Sequence, residues 1–293
     1  MQTSTIEGYR SAISFILKRA SGYDLSQCEI LSDMIKSFRL ERPRTARTVV
    51  QWDLAIVLSL LQSHQYSLEH AGTRELTLRT VFLVALALGK RRSELHAIAR
   101  DTVKFADDAS SVTLRPVAGF LSKTHIASRG VGAFRQVSIP ALPQEGGGGS
   151  LCPVLSLRRY VQVSDRYRSG KQKRLFISHD EERVSDITPQ TVSSYIKAVI
   201  IDAYRRTESL PATEIQRKYR IKAHQVRHVA HSLGVMGHIP LAEIIKTGGW
   251  TSTNTFIDRY LQDVPPDKAR KLAKIGSFVA IESVFSPSKT VQF

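Results

Sequence analysis

Between Ala223 and Leu261 the chain carries histidine, arginine, tryptophan and tyrosine side chains at spacings that can serve chemistry. His224 and Arg227 stand three residues apart where a helix is predicted to begin, and such a pair points to one side of a helix. Both can therefore reach one target, and that target is expected to be anionic. Trp250 follows a Gly-Gly pair at a predicted turn between helices, where its indole N–H is a donor available to an oxygen anion. Tyr260 comes ten residues later. A phenol, with an ordinary pKa of about 10, becomes a nucleophile only when its surroundings activate it. A plainer reading stands beside this one: His224, Arg227, His228 and His231 as a solvated helix face, and Phe256 with Tyr260 as a buried stripe.

These residues need a scaffold, and the hydrophobic pattern supplies one. Ser4 and Glu7 read as a capping box, after which Tyr9, Ile13, Ile16, Leu17 and Ala20 recur at helical spacing until Gly22. Ile30, Leu31, Met34, Ile35 and Phe38 predict a second helix, and Arg39 to Thr48, basic and interrupted by Pro43, reads as a linker. Further helices are expected over Leu54 to Leu61, over the strongly apolar Leu76 to Leu88, and over Leu155 to Tyr167. Another should start at Thr188-Pro189 and bury Val192, Tyr195, Ile196, Val199 and Ala203. A last one begins near Pro240, with Leu241, Ile244 and Ile245 inside, and ends before Gly248. Val112 to Leu114 and Phe134 to Ile139 alternate as short antiparallel strands. The fold class expected is mainly α with a small antiparallel β-sheet (α+β).

Composition narrows the partner. Lys and Arg number 42 against 26 Asp and Glu, a net charge of +16, which favours a polyanion through counterion release. The run Arg217, Lys218, Tyr219, Arg220, Ile221, Lys222 interleaves cations with an aromatic just before His224, as phosphate contacts require. Cys28 and Cys152 provide neither a disulfide framework nor a metal site. No run of apolar residues reaches membrane-spanning length, and no partner membrane is expected. Gln144 to Ser150, Q-E-G-G-G-G-S, is a flexible connection.

The C-terminal segment resembles the active-site box of the tyrosine recombinases, the phage integrase family, in which H-x-x-R is followed by a His or Trp after Gly and then by a nucleophilic Tyr. The wording W-T-S-T-N-T-F-I-D-R-Y is similar to recombinases of DIRS-type retrotransposons. Upstream, G-K-R-R-S-E-L from Gly89 matches the family's first box. The resemblance makes Arg91 catalytic with Arg92 its neighbour, and Glu94, three residues on, a carboxylate able to hold the Arg91 guanidinium. It places a catalytic lysine on the β-hairpin between the boxes; Lys123 in S-K-T is the choice, with Lys104 an alternative.

What the resemblance implies is strand cleavage through a 3′-phosphotyrosine. Arg91 and Arg227 would clamp the phosphate, His224 would take the tyrosine proton or hold an oxygen, Lys123 would protonate the leaving 5′ oxygen, and Trp250 would donate to the phosphate. Arg42, Arg44, Arg47, Arg92, Arg217, Lys218, Arg220 and Lys222 would contact the DNA backbone. The division implied is a partial helical core-binding domain and basic linker over 1–47, and a catalytic domain with its tail over 48–293. No cofactor or metal is expected, the partners being double-stranded DNA and further copies of the chain as a dimer or tetramer. A eukaryotic mobile element would place the protein in the nucleus. A topoisomerase IB-like enzyme that cuts without exchange, and a non-catalytic DNA-binding protein, remain competing readings.

Overall fold

The computed structural model describes residues 3–42, 50–123, 134–143, 149–180, 182–236 and 239–248. The chain divides into two compact units, Met1–Val49 and Val50–Phe293.

The first unit is a helix pair, α1 (Thr3–Ser21) and α2 (Glu29–Glu41), joined through Gly22 at φ +72° and a short 3-10 turn, Leu25–Gln27. Polar contacts fix the pair: Arg39 meets Glu7 at 2.7 Å, and Lys18 meets Asp24 at 2.8 Å. Asp24 also accepts from the Ser26 N–H and the Ser14 hydroxyl, and these contacts, that with Lys18 foremost, hold its carboxyl well below the usual range. Ser4, expected at the N-cap, lies inside the helix. The helix already runs through Thr3 and Ser4, and Glu7 turns to Arg39 instead. Helix α2 also runs on through Glu41, so Arg39 to Glu41, read from sequence as linker, are helical, with Arg42 as the helix C-cap. Of the apolar positions predicted for α2 only Ile35 is buried.

The second unit is built on α4 (Thr73–Leu88), whose residues from Leu76 to Leu88 are all buried. Helices α6 (Pro153–Ser164), α7 (Pro189–Arg205) and α9 (Gln225–Met236) pack against it, and α3 (Leu54–Leu61) packs on α7. Each buried Leu, Val or Phe side chain is worth about 1.5–3 kcal/mol relative to exposure, so this row of α4 is a principal source of stability. Caps fix the helix starts. Asp53 accepts from the Ala55 N–H at 2.9 Å, and Thr188 from the Thr191 N–H at 3.1 Å with Pro189 in the first turn. Helix α5 (Arg92–Ala97) follows α4 closely, and α8 (Ala212–Lys218) and α10 (Leu241–Gly248) complete the helical set among the described residues.

Strands β1 (Lys104–Phe105), β2 (Ser111–Leu114) and β3 (Val137–Pro140) form an antiparallel sheet in that order. Lys104 lies opposite Thr113, and Val112 opposite Ile139. Alternation buries Val112 and Leu114 on one face, as the sequence pattern requires. The unit is thus mainly helical with one small antiparallel sheet.

Arg79 is 1% exposed in the middle of α4. Its guanidinium donates to the carbonyls of Leu61, Tyr66 (2.8 Å) and Ser150, and its Nε donates to Ser156 Oγ at 3.1 Å. Burial lowers its pKa to about 10, which still leaves it protonated at neutral pH. One cation therefore ties the end of α3, the following 3-10 turn and the start of the α6 region to the central helix. Arg79→Met keeps an apolar stem but strips several buried acceptors of their donor, each worth roughly 1 kcal/mol or more. Urea unfolding should show a loss of about 3 kcal/mol, and a loss below about 1 kcal/mol would contradict this role.

Candidate active site

The site begins where α4 stops. Gly89 adopts φ +55° and its N–H bonds back to Ala85 O, the left-handed ending that glycine permits without strain. A side chain is excluded there for a second reason: a Cβ on Gly89 would lie 2.7 Å from His231 Cε1. The chain then turns through Lys90 and Arg91 into α5. Arg91 is the N-cap residue, and its backbone N–H donates to Glu94 Oε2 at 2.8 Å while its Nη1 reaches Glu94 Oε1 at 3.3 Å. Glu94 is 1% exposed and the Arg91 side chain 19%.

The second arginine arrives from α9. Its start is anchored by Gln225, buried, whose Oε1 accepts from the Lys222 N–H at 2.8 Å and from Trp52 Nε1 at 3.0 Å. Just upstream Arg220 takes φ +46°, a turn that sends Ile221 into the core and Lys222 to the surface. Arg227, one turn into α9 and buried, places Nη1 3.6 Å from Glu94 Oε2. Its Nη2 donates to Gly248 O at 2.9 Å, capping the carbonyl end of α10, where a cation also meets the negative end of the helix dipole.

Around this pair opens a cleft of about 870 Å³. Its lining includes Lys90, Arg91, Arg92, Lys123, Lys197, Lys222, His224 and Arg227, with Gln190, Ser193 and Gln216 as neutral donors and, among the described residues, no aspartate or glutamate. Arg91, Lys123, His224 and Arg227, singled out from sequence, thus share one cavity. His224 keeps contact with solvent, yet the cleft wall about its ring, and then the Lys222 cation, lower its pKa below the ordinary histidine value. Neutral near pH 7, it can accept a proton. Lys123 is exposed at the cleft margin; Lys104 sits on β1 opposite Thr113.

Other residues expected to contact DNA have protein contacts of their own or lie away from the cleft. Lys218 binds Glu208 at 3.0 Å, and the Tyr219 hydroxyl donates to the same carboxylate, so this part of the basic run serves the α7–α8 connection. Arg92 and Lys222 line the cleft, while Arg217 and Arg220 are not part of its lining. Leu241, expected inside, is 36% exposed, and α10 includes Gly248 instead of stopping before it; Ile244 alone of its predicted apolar set is fully buried, at 5%. Trp250, Tyr260, Arg44 and Arg47 lie outside the described residues, as do Phe256, residues 144–148 and the C-terminal tail. Sequence reasoning missed Lys90, Lys197 and His231. Lys90 carried a signal in its place between Gly89 and Arg91; the other two had only helical spacing toward the same side as their neighbours.

Among the described residues no group of three His, Cys, Asp or Glu side chains is placed to hold a metal, and no helix is long and apolar enough to cross a membrane. Cys28 and Cys152 are free thiols.

No family model and no curated protein matches the chain. Among solved structures it is similar to XerA recombinase, at 16% identity over 92% of this chain and 81% of that one, with TM-score 0.49. It is also similar to XerH site-specific recombinase in a post-cleavage complex with a palindromic difH substrate, at 14% identity, 79% and 55% coverage and TM-score 0.47. The pre-cleavage XerH complex with difH gives 11% identity, 94% and 70% coverage and TM-score 0.47. At such identities the likeness carries neither residues nor activity from those proteins to this chain.

His231 gives the site a pH dependence. Its Nδ1 donates to Arg227 O at 2.6 Å, and burial first, then the Arg227 charge, push its pKa down to about 3. Above the unfolded value near 6.5 neither state is protonated and nothing changes. Below it the unfolded chain takes up a proton that the native chain refuses, so stability falls by about 1.4 kcal/mol per pH unit toward pH 3. Melting followed from pH 8 to 4.5 should show this acid-side loss, and His231→Asn, which retains an N–H donor, should flatten it. An unchanged slope would remove His231 as its source.

Proposed function

We propose that the cleft binds a DNA phosphodiester and that the protein is a site-specific DNA recombinase acting through a 3′-phosphotyrosine. The observation that carries this reading is the convergence of Arg91 and Arg227 on the buried Glu94 at a cleft whose described lining is rich in cations. Two guanidiniums held by one carboxylate keep a net positive charge and a fixed aim. Such a pair suits the charge that gathers on non-bridging oxygens as a fifth oxygen joins phosphorus.

In this reading Tyr260 supplies that fifth oxygen, its proton passing to neutral His224, and Trp250 supports the phosphate; both assignments of Tyr260 and Trp250 rest on sequence spacing. The P–O5′ bond then breaks and its oxygen takes a proton from a lysine of the cleft, for which the sequence motif nominates Lys123. The phosphotyrosine conserves the bond energy for rejoining to a second strand. The G-W, T-F and Y wording supports service to a mobile element, with integration as the outcome and the nucleus as the place. Exchange between two sites further requires several copies on DNA, as a dimer or tetramer. In this reading the helix pair of the first unit would be the core-binding piece and the second unit the catalytic domain.

Covalent trapping on nicked duplexes with randomised sites tests the reading. Wild type should form a DNA adduct that maps by peptide mass to Tyr260, and Tyr260→Phe should form none. Arg227→Ala should slow adduct formation by about 10²–10³-fold while DNA affinity changes only a few-fold, because many other cations meet the backbone. Parallel loss of binding and cleavage would make Arg227 a structural residue only. Affinity itself should fall steeply and linearly in log-log form as salt rises, and a flat response would contradict an electrostatic grip.

A further inference from the structure

Trp52 lies just inside the start of the second unit at Val50, and its side chain is buried in the main core. Its indole N–H donates to Gln225 Oε1 at 3.0 Å, and the same oxygen accepts from the Lys222 N–H at 2.8 Å. Gln225 is buried and opens α9, and its own N–H returns to Lys222 O at 3.0 Å. Reciprocal bonds thus close the turn from Lys222 to Gln225 with His224 inside it, and the Arg227 N–H bonds to His224 O at 3.2 Å. We propose that Trp52 is a positioning residue of the active site, acting through Gln225 to hold the turn that bears His224 and the aim of Arg227 at Glu94. This rests on the reading of the cleft given above and adds to it a residue that is not part of the cleft lining.

Three observations support the assignment. Tryptophan joins a core-sized ring to a single donor, and here that donor goes to the side chain that starts α9. With two N–H groups on one oxygen, both lone pairs of the Gln225 carbonyl are used and the amide is held in one orientation. The Trp52 end is itself fixed. The next N–H, that of Asp53, donates to Tyr204 Oη at 2.7 Å, and the Tyr204 ring packs on Tyr219, the C-cap of α8, with centroids 4.0 Å apart. The start of α3, the end of α7 and the end of α8 together therefore hold the point from which α9 departs. Loss of the indole N–H leaves the turn tied only to itself. A displaced turn carries Arg227 with it, and its Nη1 reaches Glu94 Oε2 at 3.6 Å, with little margin for a shift. Misplacement of a reacting group by about 1 Å can cost about 10²-fold in rate.

The test has two arms, both on the full chain. Trp52→Phe keeps an aromatic ring in the core and removes the donor; Gln225→Leu removes the acceptor at similar size. In amide hydrogen exchange read by mass spectrometry, peptides over 221–231 should exchange about 10-fold faster in either variant, and those over α4 as in wild type. Unchanged exchange over 221–231 overturns the proposal. The second arm follows adduct formation in single turnover on the nicked duplex recovered by trapping. The rate constant should fall about 10-fold in each variant while DNA affinity stays within about two-fold of wild type. The double variant should be no slower than Gln225→Leu alone, because both changes cut one link. Tyr66→Phe, which removes a buried hydroxyl bonded to Asp202 at 3.1 Å, controls for lost stability and should keep the wild-type rate constant. Slowing that multiplies in the double variant, or equal slowing in Tyr66→Phe, overturns the assignment. Absence of a wild-type adduct sinks the recombinase reading itself, and the exchange arm, which needs no DNA, is scored apart from it.

Discussion

A single carboxylate, that of Glu94, sets the terms for the site. Taken out of water at 1% exposure, it would be intolerable alone, and it is held by the Arg91 backbone N–H and by two guanidiniums. The pairing works in both directions. Two arginines so close repel each other unless an anion lies between them, and Glu94 supplies one charge where two are needed. The trio is left with an excess positive charge that a phosphate can satisfy.

That trio depends on close approach of two helices. Helix α4 brings the chain to Gly89, and α9 brings His231 against the same glycine, within a distance that no Cβ would allow. The His231 ring fills the place where a side chain would have stood, and its bond to Arg227 O ties it to the residue that reaches Glu94. Trp52 and Gln225 fix the other end of the arrangement. The spacing of the arginine pair is therefore set by backbone proximity and buried hydrogen bonds, not by the charged side chains themselves.

Much of this was legible in sequence because it is local. The apolar run of α4, the glycine that ends it, the Arg91 and Glu94 spacing, and the Thr188-Pro189 start are all decided within a few residues. What escaped was decided by distant partners. Nothing near Lys218 announces that Glu208 will claim it, and nothing near Lys90 shows that Phe134 and α9 will bury it. The start of α1 likewise lies upstream of Ser4, and Glu7 pairs with Arg39 on the other helix, a partner that nothing local announces. Leu241 fits the apolar period of α10, but that short helix has too little neighbouring surface to cover every apolar position.

Helix α10 rests on a small cluster in which Ile244 meets Val235, Ile239 and Ile245, with Ile239 also packing on the main core. It is tied to the clamp through the Gly248 carbonyl, which accepts from Arg227. A segment with so little buried surface opens at lower free energy than the α4 core. Each such opening would free one N–H of the second guanidinium and loosen its aim, while Arg91 and Glu94 stayed as they were. The readiness of the arginine pair is thereby tied to the local folding of the stretch that leads into Trp250. Under the proposed function, such an opening of α10 would leave the cleft still basic and still able to hold DNA, but disarmed, so that gripping and cutting would become separable states of one molecule.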